Sequence, residues 1–295
     1  MTAERNPVYI YALADGAQHP LLIGDLMREA SEHRNVYTGL PEEDAGDASL
    51  FLALIAKADE RWLAKLDELD VQAPCMSLIW SRVGIDALAA HLRQFLIADL
   101  GDGLNAMVRY FDPRNLRTAM RLWGEDTTRK LMAPILQWKY RGHEPEWKRI
   151  DGPLNGQQVQ TEPVAITLGQ QQVDSFIAHC EPDEMLTGLI EDGTVPGDGP
   201  YLPRFLDFIE RYKRVAAWQL AKPADRVGYC QYSYRYGAGF DQDPEVRRAL
   251  EQRIRQGETF AVCMERVPDY VWNRVIARQA NQQTENDKEN NNDNN

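Results

Sequence analysis

The segment Leu104–Trp123 changes its hydrophobic period within a few residues, which constrains the fold more than any other feature. Its first half alternates like a strand and places Arg109 on one face with two apolar neighbours. Asp112 is then a suitable N-cap and Pro113 a suitable first helical residue, because an N-terminal N–H needs no helical partner. The segment therefore predicts a strand that runs directly into a capped helix, with Arg109 and Arg114 on either side of the cap.

Apolar runs that predict strands alternate with periodic stretches that predict helices through the first half of the chain. The predicted strands are Val8–Ala14, Asn35–Leu40, Leu50–Ala56 and Met76–Trp80, and the predicted helices are Leu21–Ala30, Arg61–Leu69, Ala87–Leu96 and Thr127–Ala133. The Gly101–Gly103 turn predicts one antiparallel hairpin, and a second is predicted between Trp138 and Trp147. This alternation predicts an α/β lobe over residues 1–151, with a mixed, mostly parallel sheet and flanking helices.

The rest of the chain has a different pattern. Residues 152–169 are polar and rich in Gly, Gln and Pro, which predicts a connection between lobes. Residues 170–278 predict a mainly helical lobe, although Val227–Tyr236 could be either strand or helix. Residues 279–295 contain Asn, Gln, Glu and Asp without an apolar anchor, so we expect a disordered tail.

Charge and cysteine content narrow the choice of partner and compartment. The net charge is −12, which disfavours nucleic acid and anionic membranes and favours a basic protein partner. Four cysteines lie far apart without a C-x-x-C pair, as in a reduced cytoplasmic protein. The N-terminal residues lack the pattern of a signal peptide, and no apolar run approaches the ~20 residues that span a membrane. We therefore expect a cytoplasmic protein.

Asp15 and Asp112 are the strongest catalytic candidates, because both follow predicted strands and two such carboxylates could hold Mg²⁺ for phosphate-ester hydrolysis. A turn aspartate and a helix cap explain them more simply, and neither has a second acid or a threonine beside it. The five histidines have no metal-ligand spacing, and His91 in mid-helix is typical of a hydrogen-bonded core residue. Nucleophile and phosphate-loop motifs are missing as well. We expect no catalytic residue, metal or cofactor.

The arginine beside the apolar face of the predicted strand needs an explanation. A partly buried guanidinium requires an acidic or carbonyl partner, and Asp15 at a neighbouring strand end is the candidate for Arg109. The alternative is anion recognition by Arg109 together with Arg114. The expected structural motif comprises Asp15, Arg109, Asp112, Pro113 and Arg114.

Aromatic residues cluster in two segments, one of them beside an arginine. Tyr, Trp and Arg dominate the energetics of protein interfaces, so these clusters are candidate contacts for a partner protein. Ordinary half-buried packing is the alternative for each residue. The candidates are Trp138, Trp147, Tyr232, Tyr234, Arg235 and Tyr236.

Four stretches carry a family resemblance: Tyr11–Ala17 (YALADGA), Leu88–Leu96 (LAAHLRQFL), Arg109–Leu116 (RYFDPRNL) and Tyr236–Phe240 (YGAGF) with Pro244 after it. In their order and spacing, these stretches resemble a bacterial family of adaptor chaperones that load toxic effectors onto the type VI secretion spike. The resemblance implies a non-enzymatic cytoplasmic adaptor that binds an effector's N-terminal region and the VgrG spike protein. Two alternatives stay open: an immunity protein that neutralises a toxin, and a metal-dependent phosphoesterase that uses Asp15 and Asp112.

Overall fold

The structure is a computed structural model and describes residues 7–57, 60–153 and 159–279. Within these ranges the chain divides into two compact units. The first unit comprises the described residues up to 180 with 199–202, and the second comprises residues 181–198 with 203–279. Among the described residues every named strand lies in the first unit.

Antiparallel pairing organises the strands of the first unit. In chain order they are β1 (Tyr9–Asp15), β2 (His33–Asn35), β3 (Leu50–Leu54), β4 (Met76–Ser81), β5 (Ile97–Gly101), β6 (Leu104–Met107), β7 (Ile135–Tyr140) and β8 (Lys148–Asp151). Six of these form one sheet in the order β2-β3-β1-β4-β7-β8, while β5 and β6 form a separate hairpin. Every neighbouring pair of named strands is antiparallel.

The prediction of a mostly parallel sheet is therefore wrong. The helix Arg61–Gln72 connects β3 to β4, as the alternating pattern indicates. Both of these strands run antiparallel to β1, so they are parallel to each other, but β1 lies between them. The α2 crossover thus joins two parallel strands that are not neighbours, because β1 lies between them and runs in the opposite direction.

Helices cover the sheet and make up the second unit. They are α1 (Leu22–Glu29), α2 (Arg61–Gln72), α3 (Ile85–Arg93), α4 (Leu116–Met132), α5 (Gln170–Glu191), α6 (Tyr201–Ala217), α7 (Pro223–Tyr236), α8 (Pro244–Gln256) and α9 (Phe260–Glu265), and residues 269–279 are also helical. The ambiguous stretch Val227–Tyr236 is thus helical. In the described part of the chain, no helix combines the length and the apolar character needed to cross a bilayer.

The central strand β1 is apolar throughout because both of its faces are covered. Tyr11 and Leu13 belong to a core that includes side chains of α3 and α4. Ala12 and Ala14 point the other way, into a core with α1 and α2. Both alanine side chains are fully buried there.

The segment Leu104–Trp123 differs from its prediction in one respect. β6 ends at Met107, and α4 begins at Leu116 rather than at Pro113. The reason is that the Asp112 carboxylate caps a turn: it accepts the backbone N–H of Arg114 at 2.9 Å and also binds the Arg114 side chain. α4 then bends at Gly124, where φ is 81°, and this bend separates the two predicted helices.

Several local predictions are confirmed. The hairpin β5–β6 turns at Gly101–Gly103, where all three residues have positive φ, and β7 pairs with β8.

The strand predicted over Asn35–Leu40 differs from the structure, because β2 ends at Asn35, the first residue of that range. The Asn35 side chain accepts the Tyr37 N–H at 2.8 Å and starts a turn. The stretch 152–169, predicted as a connection, contributes Ile166 and Leu168 to the core of the first unit. Apart from residue 279, the predicted tail 279–295 lies outside the described residues.

Candidate functional site

The contact predicted between Arg109 and Asp15 is present in the first unit. Asp15 ends β1 and is only 1% exposed. Its carboxylate accepts the Arg109 guanidinium at 2.5 Å, the Ala17 N–H at 3.1 Å and the Gln18 side-chain amide at 3.3 Å. Burial lowers the pKa of Arg109, but the charges of Asp15 and Asp112 outweigh it and the net shift is upward. The guanidinium therefore stays charged and neutralises a buried acid.

Asp112 and Arg114 form a second pair beside the first. The Arg114 guanidinium donates two hydrogen bonds to the Asp112 carboxylate, at 2.9 and 2.7 Å. Both side chains are almost fully buried, with exposed fractions of 8% and 5%. Arg114 also donates to the Gln18 side-chain oxygen Oε1 at 3.2 Å, so the Gln18 side chain bridges the two ion pairs. We call Asp15, Gln18, Arg109, Asp112 and Arg114 the charged site.

A third pair, between Asp70 and Arg141, was missed by the sequence analysis. Asp70 is buried and accepts the backbone N–H groups of Cys75 and Met76 as well as the Arg141 guanidinium at 2.6 Å. Burial raises the pKa of Asp70, although these donors oppose it. A signal was available, because Asp70 follows Trp62 and Leu66 at helical spacing on the buried face of α2. An acid on such a face needs a cation.

The charged site forms a connected network of ion pairs and hydrogen bonds. Both aspartates considered for Mg²⁺ binding are occupied by guanidinium and N–H donors. Across the described ranges, no group of three or more His, Cys, Asp or Glu is arranged to hold a metal ion. This arrangement can neutralise buried charge and join the end of β1 to the start of α4. Pro113 lies in the turn between Asp112 and Arg114.

His179 and Cys180, adjacent in the sequence, make separate contacts. The His179 ring lies 3.1 Å from the Arg114 carbonyl oxygen. The Cys180 thiol lies 3.5 Å from the Asn115 side-chain oxygen. Each side chain thus secures the turn before α4. His91 is fully buried and bonded at both ring nitrogens, as expected of a core histidine.

Three of the candidate partner-binding residues line one cleft of the second unit. Tyr232, Tyr234 and Arg235 of α7 surround it together with Gln231 and Thr194, and its volume is about 340 Å³. The Tyr234 ring is covered by the Arg211 guanidinium at 4.3 Å. Phenol and guanidinium groups at a partly open cleft suit a polar protein segment.

The other candidates lie elsewhere. Trp138 is fully buried in the core of the first unit. Tyr236 is buried and stacks on Trp272, with ring centroids 4.4 Å apart. Trp147 is half-buried, and the Arg141 guanidinium lies 4.6 Å from the centre of its ring.

Comparison with known proteins bears on the first unit. No curated protein and no solved structure matches the chain. A family model described as "Domain of unknown function (DUF4123)" matches residues 10–130. The matched range includes β2 to β6, β1 apart from Tyr9, and all five residues of the charged site. Over residues 10–130, the chain is therefore similar to the DUF4123 family.

Proposed function

We propose that this chain is a cytoplasmic adaptor that binds a secreted effector of the type VI secretion system and promotes its loading onto the VgrG spike protein. In this proposal the chain catalyses no reaction and uses no cofactor. Surface side chains of the two units hold the effector, and the charged site stabilises the fold of the first unit.

The observation that carries the proposal is the match of residues 10–130 to the DUF4123 family, which includes three of the four stretches that resemble effector adaptors. These stretches lie at structural junctions: Tyr11–Ala17 ends β1, Leu88–Leu96 forms most of α3, and Arg109–Leu116 leads into α4. These stretches thus belong to the scaffold of the first unit. In an adaptor, specificity for the client would come from other side chains, at the interface.

The net charge of −12 agrees with a protein-binding role. A strongly acidic chain attracts basic segments and repels nucleic acid and anionic membranes. The cleft at Tyr232, Tyr234 and Arg235 offers one contact surface in the second unit. Large amphipathic side chains at such a cleft supply contact area with little loss of conformational entropy.

Co-purification tests the proposal. The tagged chain is isolated from its native cells under type VI-active conditions, and mass spectrometry identifies the proteins retained. Each candidate effector is then expressed alone and with the chain. We expect one effector to be retained in a defined complex and to be less soluble alone. An effector that is equally soluble alone and is not retained would contradict the proposal.

Truncation of the effector separates an adaptor from an immunity protein. An adaptor binds outside the toxic domain, so an effector without that domain should still be retained, and the bound toxin should stay active. An immunity protein binds the toxic domain and inhibits it. Retention of the isolated toxic domain with loss of its activity would therefore replace the adaptor role by the immunity role.

A further inference from the structure

An apolar groove lies on the first unit. Its walls are formed by Leu63 and Ala64 of α2, by Met76 and Leu78 of β4, and by Trp147, which precedes β8. Its volume is about 310 Å³. The charged residues that line it are both acidic, namely Glu60 and Asp67. We call these seven residues the α2 groove.

The Trp147 ring of the α2 groove contacts the Arg141 side chain. The Arg141 guanidinium lies 4.6 Å from the centre of the Trp147 ring, within the range of a cation–π contact. The same guanidinium donates to the carboxylate of Asp67 at 2.7 Å and to that of the buried Asp70 at 2.6 Å. Trp147 therefore presents an oriented surface before any partner binds. Pre-organised aromatic side chains of this kind form the strongest anchor points in protein interfaces.

Glu60 is also fixed before binding. Its carboxylate accepts the backbone N–H groups of Ala56 and Lys57, at 3.1 and 3.0 Å, and the indole N–H of Trp62. Asp67 lies two turns further along the same side of α2, with half of its side chain exposed. Two carboxylates thus lie beside an apolar groove, so cationic side chains of a partner could pair with them.

We propose that the α2 groove binds an amphipathic segment of the client protein, which inserts one or two large apolar side chains beside Trp147. Lysine or arginine residues that flank these side chains pair with Glu60 and Asp67. The volume suits such side chains rather than a folded domain. This inference rests on the proposed adaptor function, because it names where and by what chemistry the effector is held.

The first test uses two synthetic probes that differ only in charge: a short amphipathic peptide of leucine and lysine, and its leucine and glutamate counterpart. The full chain is labelled at its methionine methyl groups, and NMR spectra are recorded during titration. Met76 lies in the groove, and Met185 in the second unit serves as the internal reference. We expect the lysine peptide to shift the Met76 signal and to bind roughly tenfold more tightly than the glutamate peptide. An unshifted Met76 signal, or equal binding of both peptides, would overturn the inference.

The second test uses the effector and a matched pair of variants. Ala64→Lys places a cation in the α2 groove, and Ala216→Lys makes the same change at an exposed position of α6. Both sites are exposed and helical, so both variants should fold. We expect Ala64→Lys to retain at least ~tenfold less effector than wild type, and Ala216→Lys to retain the wild-type amount.

The two proposals fail in distinguishable ways. If wild-type chain retains no effector, the adaptor function is wrong, whatever the variants do. If wild type and Ala64→Lys retain the same amount, the adaptor function stands and the α2 groove is not its client site. Equal loss in Ala64→Lys and Ala216→Lys would also overturn the groove, because the effect would then follow net charge and not position.

Discussion

His91 should make the stability of the first unit depend on pH. The residue is fully buried in α3. Its Nδ1 atom accepts the Gln160 backbone N–H at 2.8 Å, so Nδ1 carries no proton. The proton therefore lies on Nε2, which donates to the Leu131 carbonyl oxygen at 2.8 Å. A second proton would replace the Gln160 hydrogen bond by a contact between two donors, in a place that water does not reach.

Burial lowers the pKa of His91 from 6.5 to about 4. Because the folded-state pKa lies below the unfolded one, the unfolded chain takes up a proton first as pH falls. The stability contributed by neutral His91 is complete above the unfolded pKa and is lost as pH falls from 6.5 towards 4. The loss relative to neutral pH should be about 2 kcal/mol at pH 5 and about 3 kcal/mol at pH 4.

Urea unfolding of wild type and His91→Gln, at pH 7 and pH 5, measures this contribution. His19 and His33 also have pKa values lowered by burial and add to the wild-type slope, so the useful quantity is the difference between the two proteins. We expect the variant to lose about 2 kcal/mol less than wild type between these pH values, even though it is less stable at pH 7. Equal losses in both proteins would refute the assignment of a neutral, doubly bonded His91.

Two further substitutions test the charged site and a close backbone approach. Arg109→Ala leaves the buried Asp15 carboxylate without its cation and should lower the free energy of unfolding by about 2–4 kcal/mol, whereas Arg129→Ala, in an exposed pair, should change it by less than about 0.5 kcal/mol. An unchanged stability with lost effector binding would favour anion recognition by Arg109. Gly152→Ala places a Cβ 1.8 Å from a β7 carbonyl oxygen and should destabilise by about 2 kcal/mol or more, whereas Gly188→Ala, in open space on α5, should stabilise by about 0.5–1 kcal/mol, both by urea unfolding.

Local features of the fold could be predicted from sequence, but strand direction could not. The apolar run of β1 and the Gly101–Gly103 turn act over a few residues, so their patterns suffice. The direction of neighbouring strands depends on β1 lying between β3 and β4, which are joined by α2. That placement is decided by long-range packing, and hydrophobic periodicity does not report it.

The charged site could be predicted in part, for a physical reason. Arg109 among apolar residues requires an acid, and Asp15 at a strand end was the nearest candidate. The start of α4 was misplaced because the same carboxylate, Asp112, can cap a helix or bind a guanidinium, and the sequence does not say which. The α2 groove could not be predicted, because α2, β4 and Trp147 meet only in the folded chain.

Secretion of the effector is the most direct measurement of the adaptor function that we propose. Its amount outside the cell, and its association with VgrG, are compared in strains with and without the chain. We expect that deletion abolishes both, that the plasmid-borne wild-type chain restores both, and that a second, unrelated effector is secreted as before. Normal secretion and VgrG association of the effector in the deletion strain would contradict the account.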